Sequence, residues 1–496
     1  MKFYAFFLVL LTCLACEAQN TVNVYFGGTN GTNGTNILSG QMLQNATNYG
    51  VVPDGMTDNT AAITDAIEIT NLFFPPGIYI TSHQLPVPSN RRIHLMEGAV
   101  FKAAPHSVPT ANSAYATNSV FWVNADWTNG NSNIWIEGGT YDGNIQNQGG
   151  INWNTPGQFL AGSPLRFLNV TNLVIRDMTL KNNPTVNMQL GNITNLDVER
   201  IRIYTSQGWS SNQDGIHLNG AVYNFIISDV WANGVNSDLI ALNADDISYG
   251  AMSQGDIHCG LVENIYSAGH ANPWVGEAVR FLVNTHSVYD VRISGVRGFY
   301  GSADGVFSEN YFFNAWANGA GVWSVIIENC DVTTSQFNTP FAYFIYAIAS
   351  DITLRNNVWT CGAQDNIGIG AWGLNEAFLY IGNCTGTNIS VQNCRVQNHA
   401  GNTYLVDYAP MIEMLNVGYS NINVSGFNLS RWPGSETGGS FIHLGGNSGF
   451  SDGGIKLSDL HLNNVSNLFQ NDVGVVNFQA GTVLANPPIT WENTFQ

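Results

Sequence analysis

The sequence predicts an all-β solenoid, strands wound into stacked coils behind one short helix. Three observations carry that prediction. Charged residues make up only 10% of the 496, while glycine (52), asparagine and aromatics are plentiful, which suits strands and tight turns rather than helices. Only one stretch, near residue 60, has helical periodicity. From residue 90 onward, short alternating apolar runs recur in one layout of strand, polar corner and strand. VTNLVIRDMTL (170–180), ITNLDVERIRI (193–203), VYNFIISDVWA (222–232), VYDVRISGVRG (288–298), VWSVIIENCDV (322–332), TNISVQNCRVQ (387–397) and INVSGFNLSRW (422–432) all share it. Such self-similarity indicates coils that each bury an apolar face on the next. A β-sandwich would want hairpin turns in place of a repeated strand-corner-strand unit.

In chain order, MKFYAFFLVLLTCLACEAQN has a basic residue, an apolar run and then small residues. It predicts a signal peptide over residues 1–18, cleaved after Ala18, and hence a secreted, extracellular protein. Cys16 offers a second reading as a lipid-attachment site, against which Cys13 stands where a leucine is usual. Residues 19–47, with GGTNGTNGTN inside, read as a flexible leader. Residues 48–496 read as one solenoid domain. In it TDNTAAITDAIE (57–68) is the helix, with Thr57 or Asp58 as N-cap. A helix there caps the open end of the apolar core. No apolar segment after the signal is long enough to span a bilayer.

The net charge of −19 argues against nucleic acid as a partner. It also repels polyanions at long range unless a few arginines reverse the field locally. Cys259, Cys330, Cys361, Cys384 and Cys394 have irregular spacings, none of them a metal-site spacing. Buried thiols with at most one or two disulfides are the expectation.

Two short runs, DGIHL (214–218) and DLIAL (238–242), open on aspartates 24 residues apart. In a parallel solenoid, equivalent residues of successive coils stack about 4.8 Å apart. Continuing the alignment adds Glu277 in EAVRFL (277–282) and Asp304 in DGVFSE (304–309), an acid on each of four coils. Three residues further on it places His217, Ala241, Arg280 and Phe307 in a second row. One Asp-Gly is ordinary turn chemistry. Stacked like charges are unfavourable, so a row of them points to function. Their pKa values split, leaving a protonated acid beside an ionised base, which is what glycoside hydrolysis requires. The same row also has the oxygen ligands that Ca²⁺ needs, and an arginine beside it then suits proton abstraction from a uronate.

NYGVVPDGMTDNTAAITDAI and the following FFPPGIY resemble the opening of the pectate lyase-like right-handed parallel β-helix superfamily. Residues 182–220 are similar to the central region of glycoside hydrolase family 28, the polygalacturonases. The resemblance implies a right-handed parallel β-helix, a polysaccharide substrate, inverting hydrolysis and no cofactor; Ca²⁺ enters only if the chain is a lyase or C5-epimerase. Asn212-Gln213-Asp214 stands where the family has Asn-Thr-Asp, and Ser237-Asp238 where it has Asp-Asp. Asp214 and Asp238 thereby inherit the water-positioning roles, while the family's general acid is replaced by Ser237. Glu277 is the first substitute acid, and Asp245 and Asp246 come next. Gly269-His270-Ala271 resembles the family's Gly-His-Gly only partly, and Arg-Ile-Lys is absent, with Arg280 the nearest substrate-binding cation. That absence speaks against galacturonate and for a neutral or differently decorated sugar.

His217 reads either as an interior histidine or as part of the site, and His270 either as a loop residue or as a tuner of the acid. Trp209, Trp231 and Trp274 are candidate sugar platforms along the groove, or packing under loops. Beside the hydrolase, a lyase or C5-epimerase and a non-catalytic glycan-binding solenoid remain open.

Overall fold

A computed structural model describes residues 42–107, 119–148, 163–205, 213–235, 237–245, 253–269, 276–301, 306–310, 319–334, 340–345, 348–361, 377–398, 411–430, 440–446, 448–463, 465, 467–471 and 478–486. The strands wind into a right-handed parallel β-helix, each coil hydrogen-bonded in parallel to the coils before and after it. One coil visits three sheets. Sheet A holds residues 165–168, 188–191 and 216–219, then Ile240–Asn243, Val279–Leu282, Phe307–Asn310, Ala342–Ile345, Leu379–Gly382 and Ile412–Leu415. Sheet B takes the long middle runs, such as 222–228, and sheet C the short final ones, such as 230–233.

Alternation along each strand decides what is core. On sheet A, Met188 and Leu190 stack on Ile216 and Leu218, these on Ile240 and Leu242, and these on Val279 and Phe281. All eight are fully buried, and they form one continuous apolar column with the other two sheets. The residues between them, Gln189, His217, Ala241 and Arg280, therefore point out of the column as a second row.

The repeated segments lie in register on sheet B, where Val170, Ile193 and Val222 pair in turn and Val288 pairs with Val322. Two coils that their likeness passed over start sheet B at Ile257 and Ile348. Within sheet B successive coils of the first half turn at one asparagine in the left-handed region: Asn133 (φ 57°), Asn172 (62°), Asn195 (60°) and Asn224 (57°). Asparagine tolerates that conformation better than other L-residues. Its amide is satisfied by the next one in the stack, Asn172 donating to Asn133 and Asn195 to Asn172, both at 2.8 Å.

The N-terminal helix, α1 (Thr60–Ile69), lays Ile63, Ala66 and Ile67 on the end of the column. Its N-cap is Asn59 rather than Thr57 or Asp58. The Asn59 side chain is spent on the Val52 backbone, and Asp58 accepts from the Thr60 N–H at 3.0 Å from one residue further out. Cys330 and Cys394 are buried thiols. No helix among the described residues is long and apolar enough to cross a membrane.

Candidate active site

Three acids sit at the start of consecutive sheet A strands, and backbone hydrogen bonds fix their register. Gly215 N–H donates to the Asp238 carbonyl (2.8 Å), and Leu239 N–H to the Glu277 carbonyl (2.9 Å). Asp214, Asp238 and Glu277 thus occupy one position on three successive coils, each side chain about 95% buried. The 24-residue spacing is one coil.

On the fourth coil the second row is corrected. Val279 pairs with Phe307 and Arg280 with Ser308, so Ser308 and not Phe307 follows Arg280 in that row. Phe307 points into the core and is fully buried, so the apolar alternation overrules the Asp-Gly likeness. Asp304 itself lies outside the described residues, as do His270, Trp274, Asp246 and Trp209.

Two cationic or polar groups from the second row fold back onto the acids. His217 Nδ1 lies 2.6 Å from Asp214 Oδ2, and its Nε2 faces the Asn243 amide nitrogen at 3.0 Å and that of Asn219 at 3.3 Å. His217 is 4% exposed yet belongs to this polar cluster rather than to the apolar column. Arg280 Nη1 reaches Asp238 Oδ2 at 3.3 Å.

The acids respond in opposite directions. Burial works against the Asp214 charge, but the bond and charge of His217, a bond from Ser237 and the charge of Arg280 prevail, and its pKa is lowered. Burial pushes Asp238 up to about 6; the Arg280 charge pulls the other way across a long contact, and the Asp214 charge adds to the rise. Burial likewise opposes the Arg280 charge, but Asp238, Glu277 and Asp214 together hold it firmly protonated. The pair thus has one carboxylate kept ionised and one kept protonated into the mildly acidic range.

Other expected residues have different duties. The Asp245 carboxylate accepts from the backbone N–H groups of Asn284 (3.0 Å), Thr285 (2.7 Å) and His286 (2.6 Å), with His286 Nδ1 at 2.6 Å. Burial opposes its charge and these bonds outweigh it, so its pKa is lowered and it holds a turn instead of donating a proton. Trp231 lies on sheet C, paired with Arg202 and Tyr266 and away from sheet A, so it flanks no groove there. A Ca²⁺ site fits the row poorly. Arg280 and His217 already occupy the space against the carboxylates, and among the described residues no three acid, histidine or cysteine side chains gather around one point.

Sequence reasoning missed Asn219, Asn243, Gln189 and Arg166. The first two were within reach, because the alignment that pairs Asp214 with Asp238 also pairs Asn219 with Asn243.

Residues 43–281 match the family profile described as rhamnogalacturonase A/epimerase, pectate lyase-like. Over that stretch, just under half of its length, the chain is similar to that family, and its fold is the parallel β-helix. The chain is similar in structure to a family 28 exopolygalacturonase of Yersinia enterocolitica, with TM-score 0.52 and 14% identity over 80% of this chain and 79% of that one. It is also similar to the surface protein and adhesin PfbA of Streptococcus pneumoniae, with TM-score 0.51 and 16% identity over 81% of this chain and 100% of that one. No curated protein sequence matches it significantly. At such identities the likeness concerns the fold, and the pectate lyase-like fold supports a protein that acts on or binds polysaccharide.

Proposed function

We propose that this protein is a secreted glycoside hydrolase that cleaves a glycosidic bond in a polysaccharide. The observation that carries this reading is the pair Asp214 and Asp238, held on adjacent coils with opposite protonation tendencies. Protonated Asp238 donates to the leaving oxygen, ionised Asp214 acts on water, and Arg280 holds the arrangement and contacts substrate. Asp238 replaces Glu277 as the first choice of acid, because burial already keeps a proton on it near pH 6. Glu277 remains in the row as a carboxylate that Arg280 faces. Residues 1–18 are assigned as the cleaved signal, which the N-terminal mass of the exported protein checks.

The test is a panel of neutral and acidic polysaccharides, with reducing ends measured and product stereochemistry read by NMR; the family resemblance implies inversion. Asp238→Asn and Asp214→Asn should each abolish cleavage. Full activity in either, or no cleavage of any polymer by wild type, rejects the assignment. Glycan binding without turnover would leave a binding solenoid instead.

A lyase or epimerase is the second reading, favoured by the Asp214–His217 pair beside Arg280, which has the parts for removing a proton next to a carboxylate. An unsaturated product seen by ultraviolet absorbance on a uronan would select it.

A further inference from the structure

One line of hydrogen bonds crosses three coils of sheet A and ends on Asp214, and every link runs in the same sense. Arg166 Nε donates to Gln189 Oε1 at 2.9 Å. Gln189 Nε2 donates to Asn219 Oδ1 at 3.1 Å. Asn219 Nδ2 faces His217 Nε2 at 3.3 Å, and His217 Nδ1 faces Asp214 Oδ2 at 2.6 Å. Arg166, Gln189 and Asn219 are fully buried.

The two ends dictate the middle. A guanidinium only donates, and an ionised carboxylate only accepts. Gln189 must therefore turn its oxygen to Arg166 and its NH₂ to Asn219. Asn219 then has its oxygen engaged and turns its NH₂ to the ring. His217 Nε2 is left as the acceptor, so the ring proton sits on Nδ1, aimed at Asp214. Asn243 Nδ2, 3.0 Å from the same Nε2, supports the same tautomer. A chain of this kind polarises from cation to anion, each link strengthening the next.

We propose that Arg166 is a positioning residue for the candidate active site: from two coils away, through Gln189 and Asn219, it fixes the His217 tautomer that holds Asp214. A plain packing role is the alternative, since the Arg166 guanidinium also lies 5.3 Å from the Trp127 ring. Packing alone has no reason to set a proton on a ring two coils away, whereas the relay through Gln189 and Asn219 does. The proposal rests on Asp214 serving the site proposed above, but its test needs no turnover.

The test is ¹⁵N NMR of histidine-labelled protein at neutral pH, with the His217 signals identified by their loss in His217→Gln. Wild type should show a pyrrole-type Nδ1 and a pyridine-type Nε2. Gln189→Glu keeps an acceptor for Arg166 but removes the donor to Asn219; Asn219 then reverses, presents oxygen to Nε2, and the pyridine-type signal is lost as the ring takes a second proton. Asn219→Asp, of the same shape, should cause the same loss without touching Gln189. The other groups around Asp214, namely Ser237, Asp238 and Arg280, are unchanged in both variants. A wild-type proton on Nε2 overturns the proposal, as does a neutral Nδ1–H ring that persists in both variants with native circular dichroism. If the polysaccharide panel fails while these shifts appear, the relay stands and only the hydrolase reading falls.

Discussion

The outward row of sheet A is built differently in the two halves of the solenoid. In the first half it runs Arg166, Gln189, His217, Ala241, Arg280, with the three acids alongside. In the second it includes Tyr343 and Tyr380, then Glu413 and His443. Backbone pairing is the same in both. The tyrosines stack with ring centres 4.8 Å apart and planes 16° from parallel, a solution in which neighbours on the row attract one another. The first half instead buries charges that are stable only because each has a partner, His217 on Asp214's own coil and Arg280 on the coil after Asp238. Buried ion pairs return little net stability compared with apolar packing. A row that keeps them is maintained for what the charges do, and that separates the two halves more firmly than any single motif.

The largest expected effect tests that contrast directly. Asp214→Asn or Asp238→Asn should lower polysaccharide cleavage by about 10³-fold, the scale of a lost general acid or base, while Tyr380→Phe stays within about twofold of wild type. Reducing-end assays at saturating polymer decide, and equal losses in both halves would erase the distinction. Next, Arg280→Met leaves buried carboxylates without their cation and should cost about 3–5 kcal/mol in urea unfolding. Tyr343→Leu, which removes only a ring stack, should cost about 1 kcal/mol. Adding Asp238→Asn to Arg280→Met should recover part of the loss; no recovery would mean that Arg280 serves packing alone.

A pH series sharpens the same point. Folded Asp238 holds its proton up to about 6, whereas an unfolded aspartate releases it near 3.9. Its contribution to stability is therefore fully present below about pH 4 and lost as pH rises through 6, a loss of about 3 kcal/mol. Asp214, with its lowered pKa, contributes in the opposite sense, and its share is lost as pH falls. Asp238→Asn should flatten the decline between pH 4 and 7, and chemical denaturation at four pH values reads it. A decline of unchanged slope would place the titration elsewhere. The smallest effect should be common to both halves. Asn195→Ala and Asp351→Ala, at equivalent sheet B corners with φ of 60° and 54°, should each cost about 1–2 kcal/mol from strain and the lost hydrogen bond to the neighbouring corner, and the corresponding glycine variants less. A corner that costs nothing in one half would show that the two are not built alike there.

Much of this was legible in the sequence because the coil is short and its apolar pattern repeats. DGIHL and DLIAL share the alternation that drives Ile216 and Ile240 inward, so Asp214 and Asp238 fell into register. Phe307 did not fall into the second row, because its strand was matched on an Asp-Gly although Phe307 is the inward position there. Asp245 was legible as an acid but not as a turn-holder, since its three N–H donors belong to residues 284–286, some forty positions later. The relay was hidden for another reason. Arg166 lies outside the family-like stretch of residues 182–220, Gln189 and Asn219 are not among its matched motif residues, and in a chain so rich in asparagine one more amide looks like a corner. Only stacking shows that these amides face each other.

The neighbour-only pairing of the coils has a consequence for how the chain is made. Each turn of the solenoid needs only the turn before it as a template, and α1 closes the first one. Folding can therefore proceed as the chain emerges, turn upon turn. On that schedule Asp214 and His217 meet at once, whereas Asp238 waits for Arg280, 42 residues later, to arrive. The half-built site is an acid-rich edge until its arginine is laid down, and the last charge to be synthesised is the one that completes it.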